Sequence, residues 1–202
     1  IFLLYLSNRF NFALDSDLNK PQAIHTTKIA RVLGIPFISI FILIFFYPNF
    51  INNDFIIIFF ISLTCSLLGL FEDIGFKINP ITRFIFQLII VSVFLSFFNS
   101  INPLDPFDFL PHFLQNDIFM TSFTIFAILT ISNSINFIDG CNGLVIIYMI
   151  VIKTVLFYFT QNIDLKNYCS IILVCLIIIL FFNFPKPRAF LGDFGAYFLG
   201  FN

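Results

Sequence analysis

The sequence predicts an all-α, polytopic transmembrane bundle, and three observations predict it. First, hydrophobic residues make up 59% of the 202-residue chain and charged residues 10%, with a mean hydropathy of +1.02. A soluble domain carries about 25% charged residues, so this chain has too few charges to cover a water-facing surface, and its excess apolar surface fits lipid. Second, the apolar residues form long continuous runs rather than period-two alternation, which excludes a membrane β-barrel. Third, the charges between the runs are distributed one-sidedly, as a multi-pass protein requires.

Six runs are complete: Val32–Tyr47, Phe55–Phe71, Phe84–Phe98, Ile118–Ile131, Leu144–Phe159 and Tyr168–Phe182. Each falls short of the roughly 20 residues that cross a hydrocarbon core, so the helices are expected to continue into their polar flanks or to sit in a thinned bilayer. Ile1–Leu6 reads as the tail of an earlier helix, and the apolar pattern is still running at Asn202. The expectation is a single membrane-embedded domain, 1–202, lacking both ends and showing about eight spans. If the spans alternate, Arg9, Lys20, Lys28, Arg31, Lys77, Arg83, Lys186 and Arg188 fall on one side, which is then the cytoplasm. The other side holds Lys166 with Asp54, Asp105, Asp108, Asp117 and Asp164. Lys153 lies inside the fifth run, where it either marks an intramembrane function or snorkels to the outer interface. The Asn99–Asp117 connection, with three prolines and three phenylalanines after Ile101, reads as an interfacial loop without chemistry.

A net charge of -1 gives no basic field for a nucleic-acid partner. Cys65, Cys141, Cys169 and Cys175 have no CxxC spacing and three of them lie in apolar runs, so they imply neither a disulfide framework nor a zinc site.

The unusual polar residues gather in four segments on the basic side: Lys20–Arg31, Gly69–Arg83, Asn133–Leu144 and Phe190–Gly200. Glu72 and Asp73 are adjacent carboxylates at a helix end; they repel each other, and a divalent cation or a proton offsets that cost. Asp139 and Asp193 each adjoin a glycine at a membrane boundary, where a backbone can approach a ligand closely. Acids on three segments, with His25, Lys28 and Arg31 on the fourth, are the residue types that enclose a Mg2+–diphosphate: carboxylate oxygen for the hard cation, basic groups for the phosphates.

In this order and spacing, Asn133-x-x-Asn136-Phe-Ile-Asp139-Gly-x-Asn142-Gly-Leu144 and Phe190-Leu-Gly-Asp193-x-Gly-Ala-Tyr197-x-Leu-Gly200 resemble the polyprenyl-phosphate N-acetylhexosamine-1-phosphate transferases of glycosyltransferase family 4. The resemblance runs from about Asp17 to Gly200. It implies transfer of a sugar-1-phosphate from a UDP-N-acetylhexosamine to undecaprenyl (polyprenyl) phosphate, with release of UMP and with Mg2+, or Mn2+ in its place, as cofactor. It implies a bacterial cytoplasmic membrane location with the site facing the cytoplasm, and it leaves oligomerisation open. By this resemblance Asp73 and Glu72 form the catalytic acidic pair and Asp193 is the metal ligand. Asn136, Asp139, Asn142 and Phe190 belong to the nucleotide pocket, with Asn133, Lys28, His25 and Arg31 as further substrate-binding residues.

Three positions depart from the family pattern: Glu72 stands where Asp is usual, Asn142 where many members have Asp, and Leu33 where the first glycine of a Gly-Gly pair is usual. The initiating branch, which starts cell-surface glycans such as lipopolysaccharide O-antigen, is favoured by Lys20–Arg31 and by the Glu-Asp pair. The rival within the family is the phospho-MurNAc-pentapeptide transferase of cell-wall synthesis. The rival of another class is a secondary transporter, which would need polar groups near mid-membrane and usually internal repeats.

Overall fold

The computed structural model describes residues 2–10, 13–15, 29–40, 53–97 and 117–202. Besides a helix that opens at residue 36, they form seven helices: α1 (Phe2–Phe10), α2 (Asn53–Ile74), α3 (Pro80–Phe97), α4 (Asp117–Ile138), α5 (Leu144–Phe159), α6 (Ile163–Asn183) and α7 (Gly192–Phe201). Three are long and apolar enough to cross a membrane, over Phe55–Ile74, Asp117–Ile138 and Ile163–Asn183, and α3 and α5 are shorter apolar helices. The all-α membrane architecture expected from the sequence is what the chain adopts. Helices α4 and α6 lengthen as expected, whereas α5 keeps to its apolar run, Leu144–Phe159. α4 takes in Ser132–Ile138 beyond its apolar run, and α6 begins at Ile163, five residues before Tyr168.

Large apolar side chains cover the outside of the bundle, among them Ile118, Phe126, Phe159 and Phe181. Such a surface suits acyl chains and no aqueous phase. The centre is α7. Phe194, Ala196, Tyr197, Phe198 and Leu199 are all buried, so the helix is enclosed on every side, as an apolar-all-round helix must be. It packs chiefly on α2 and α4, while α5 and α6 pack on each other. Phe198 stacks on Phe37, ring centroids 4.6 Å apart, and meets Phe59 edge-on at 5.1 Å.

Two expectations are corrected here. The run from Val32 does not open as a helix: Ile29–Arg31 is a strand, residues 33–35 turn, and the helix starts at residue 36. The strand belongs to a small sheet in which β1 (Leu14–Asp15) pairs antiparallel with β2 (Ile29–Arg31), and β2 pairs parallel with β3 (Ala189–Phe190). Leu33 and Gly34 continue that path, their N–H groups donating to the carbonyls of Phe190 and Leu191 at 3.1 and 3.0 Å. Lys153, the other correction, does not snorkel. It is 4% exposed; its Nζ donates to the Asn202 carbonyl at 2.8 Å and lies over the Tyr168 ring, 5.6 Å from the centroid. The neighbouring helices offer it an acceptor and an aromatic face, so it is satisfied inside the bundle.

The four cysteines are free. Lys20 and all of the Asn99–Asp117 connection but Asp117 lie outside the described residues.

Candidate functional site

The site is built where helix ends meet. Glycine lets α2 and α7 come together: a Cβ at Gly69 would lie 2.7 Å from the backbone of Asp193. One turn further along α2, Asp73 reaches the first turn of α7. Its Oδ1 accepts from the Asp193 N–H and its Oδ2 from the Phe194 N–H, both at 2.9 Å. A carboxylate there satisfies two of the donors that every helix start leaves unpaired, and it faces the positive end of the helix dipole. Gly192 makes room for it, with φ at +79° and a hypothetical Cβ 2.6 Å from Asp73 Oδ2. Asp73 is thus buried, 6% exposed, with both oxygens engaged, and Arg31 Nη1 stands 4.0 Å from Oδ1.

Glu72 is one residue earlier, about 100° around the helix, and so faces a different neighbour. Its Oε2 pairs with Nη1 of Arg83, at the start of α3. The same Nη1 is 3.9 Å from Oδ2 of Asp193, and the guanidinium carbon lies over the Tyr197 ring at 4.9 Å. Asp193 Oδ1 accepts from Asn136 Nδ2 at 3.3 Å. Glu72, Arg83, Asp193 and Asn136 therefore form one connected polar layer across α2, α3, α7 and α4.

A second layer lies one turn deeper. Asn133 Nδ2 donates to Gln87 Oε1 at 3.3 Å and to the Leu129 carbonyl at 2.8 Å, and its Oδ1 accepts from the Tyr197 hydroxyl at 3.4 Å. The two layers explain three spacings in the sequence. Arg83 and Gln87 on α3, Asn136 and Asn133 on α4, and Asp193 and Tyr197 on α7 are each three or four residues apart, hence stacked on one helix face.

Asp139 follows the end of α4. Burial pushes its carboxyl well above the usual carboxylate range, the charges of Asp193 and Asp73 push the same way, and Arg31 opposes them. Asn142 is partly buried in the turn between α4 and α5. That turn is fastened to β3 by Asn183, at the end of α6. Its Oδ1 accepts from the Gly143 N–H, and its Nδ2 donates to the Ala189 carbonyl at 3.0 Å. Phe190, next to Ala189, is partly exposed and pairs in register with Arg31.

The structure thus gathers Glu72, Asp73, Asn136, Asp139, Asp193 and Arg31 at one end of the bundle, with Phe190 alongside Arg31. It turns Asn133 inward to Gln87 and Tyr197. His25 and Lys28 lie outside the described residues. Sequence reasoning missed Arg83, Tyr197 and Asn183 as site residues. Arg83 counted there only as a topological charge, because its partner Glu72 is across a helix hairpin. Asn183 had one signal, a lone amide closing the apolar run Tyr168–Phe182.

Among the described residues, no three His, Cys, Asp or Glu side chains form a ready-made metal cage. The donors still fit Mg2+, which takes one or two carboxylates and fills its shell with water and substrate phosphate. Glu72 and Asp193 keep 29% and 25% of their side-chain surface exposed, whereas both oxygens of Asp73 are spent on backbone N–H groups.

The family model for glycosyl transferase family 4 matches residues 55–202, more than half of the chain and all of α2 to α7 but the first two residues of α2. The chain belongs to glycosyl transferase family 4. Among curated relatives, it is 30% identical over 120 residues to a phospho-N-acetylmuramoyl-pentapeptide-transferase of Clostridium novyi (strain NT), covering 56% of this chain and 37% of the relative. It is 24% identical over 166 residues to the enzyme of that name from Streptococcus sanguinis (strain SK36), covering 76% of this chain and 50% of the relative. The chain thus spans half or less of the length of these relatives. The family-4 match takes in Glu72, Asp73, Arg83, Asp139 and Asp193, and leaves Arg31 before its start.

Proposed function

We propose that this chain carries the catalytic centre of a transferase that moves a sugar-1-phosphate from a UDP-N-acetylhexosamine to a polyprenyl phosphate, leaving UMP. The observation that supports this reading is the meeting of four carboxylates and two arginines, Arg31 and Arg83, at the end of an apolar bundle in a family-4 chain. An acceptor lipid reaches such a place from the bilayer and a nucleotide sugar from water. An oxygen of the lipid phosphate attacks the sugar-linked phosphorus, the phosphoanhydride bond breaks, and UMP departs. Asp193, with help from Glu72, would hold Mg2+, which would supply charge neutralisation on the diphosphate.

The chain's own groups do the rest. Arg31 and Arg83 bring positive charge to the phosphates, Asn136 fixes Asp193, and Phe190 offers a partly exposed aromatic face to a base. Chemistry of this kind rests on positioning and on fixed charge. The site faces the cytoplasm of a bacterial membrane, in line with the distribution of basic residues.

For the donor we propose an N-acetylhexosamine of the initiating branch. The second reading, UDP-MurNAc-pentapeptide, is favoured by the names of the two curated relatives. The test is transfer from labelled UDP-GlcNAc or labelled UDP-MurNAc-pentapeptide to undecaprenyl phosphate in detergent, with and without Mg2+. Lipid-linked sugar from the first donor supports the initiating branch, and from the second alone the peptidoglycan branch. Product from neither, with solute flux in liposomes, replaces the enzyme with a transporter. Labelling of a cysteine at position 77 or 188 by an impermeant reagent outside intact cells would overturn the orientation.

A further inference from the structure

We infer that the Arg83 guanidinium is a placeholder cation: it stands between Glu72 and Asp193 before a metal ion arrives, and it holds the two carboxylates in place for that ion. The inference rests on the proposed metal role of Asp193 and adds to it a positioning residue.

Two carboxylates at the end of a membrane bundle repel each other and resist desolvation. Arg83 answers both costs. A single nitrogen, Nη1, pairs with Glu72 Oε2 and stands 3.9 Å from Asp193 Oδ2. At 3.9 Å the Asp193 contact is a charge interaction rather than a hydrogen bond, so this oxygen can be yielded to an ion without losing a directional bond. The other oxygen, Oδ1, stays oriented by Asn136 at 3.3 Å.

Arg83 itself is held from below. It is 9% exposed and its planar group rests 4.9 Å from the centroid of Tyr197, whose hydroxyl is tied to Asn133. The arginine therefore has a fixed seat beside the metal position and leans toward it from Glu72. A positive charge so placed must be displaced or tolerated by an incoming divalent cation. It lowers the affinity of the empty site for metal, and it becomes available to phosphate oxygens when the ion arrives with its diphosphate.

The test is direct metal binding without substrate: Mn2+ titration followed by electron paramagnetic resonance on the protein in nanodiscs, at low ionic strength. Asp193→Asn should abolish or strongly weaken binding. Arg83→Gln should tighten Mn2+ by about tenfold, the order expected for removing one charge at this range in a partly screened site. Arg83→Lys, which keeps the charge, should stay within about twofold of the unsubstituted protein on the same reasoning. Arg83→Leu, which keeps apolar bulk against Tyr197, repeats the charge deletion if Arg83→Gln fails to fold. A merely structural arginine would lower the melting temperature without tightening metal. Unchanged or weaker Mn2+ binding in the charge-deleted variants, with binding still lost in Asp193→Asn, overturns the placeholder and leaves the metal reading standing. No Mn2+ binding to the unsubstituted protein overturns both.

Discussion

Helices α5 and α7 are both apolar, yet they occupy opposite situations. In α7, eight of ten residues are buried and they point in every direction. In α5 the buried residues are Val145, Ile146, Met149 and Lys153, one stripe at helical spacing, and the opposite face carries exposed Ile147, Val151, Val155 and Tyr158. What separates them is small residues and ends. Gly195 lets the backbone of Gly34 come close, Gly192 leaves room for the Asp73 carboxylate, and the first turn of α7 receives that carboxylate from another helix. A helix enclosed in protein is specified by such contacts, whereas a face toward lipid needs only to be apolar.

The comparison predicts a steep gradient of mutational effects, with Asp73 at its head. Asp73→Asn keeps the size of the side chain but replaces one acceptor by an NH2 group that faces a backbone N–H. It also removes the charge at the start of α7. Turnover should drop by at least ~10²-fold at equal protein levels, the low end for a positioned acid–base group. A near-normal rate would detach Asp73 from both the junction and the chemistry. Gly192→Ala comes next. Its Cβ would meet Asp73 Oδ2 at 2.6 Å in a left-handed backbone, and the melting midpoint in detergent should report a loss of about 1–3 kcal/mol. Gly140, beside which a Cβ would find open space, is the control: Gly140→Ala should leave the midpoint where it is.

Much of this junction was legible in the sequence, and the limits have physical causes. Apolar runs gave the spans because lipid demands continuous hydrophobicity, and glycine beside aspartate marked both Asp139 and Asp193. The sheet was not legible, since two- and three-residue strands are too short to display a period of two, and their partners are distant in the chain. The burial of Lys153 was hidden because an acceptor near Asn202 and the Tyr168 ring come from other helices. The partner of Glu72 was hidden for the same reason: Arg83 lies eleven residues away, across the turn from α2 to α3.

That partner sets a smaller effect than Asp73 does. Glu72→Asp restores the pair more usual in the family but draws the carboxylate back from Arg83 by about one methylene. Glu72 keeps 29% of its side-chain surface exposed, so solvent screens the pair. A loss of about two- to fivefold in turnover is expected, the range for an exposed ion pair worth up to about 1 kcal/mol. Initial rates under saturating Mg2+ measure it. A loss as large as that of Asp73→Asn would mean that the two acids act as one unit and that the contrast between buried junction and open ionic layer is false.

The smallest effect is predicted on the outer face of α5, and it is the sharpest check on what that face meets. Val151 is 55% exposed, whereas Ile146, on the inner stripe of the same helix, is 1% exposed. If acyl chains are all that Val151 touches, an added methylene has room in a fluid solvent. Val151→Leu should then change the melting midpoint by no more than about 0.5 kcal/mol equivalent, as substitutions outside packed contacts do. Ile146→Ala should cost about 2–5 kcal/mol through the cavity it leaves. Both are read by thermal melting in the same detergent, and then again after cross-linking in native membranes. A Val151→Leu penalty that appears in membranes and vanishes in detergent would show that protein, and not lipid, packs on this face, because only a close-packed surface resents one extra carbon.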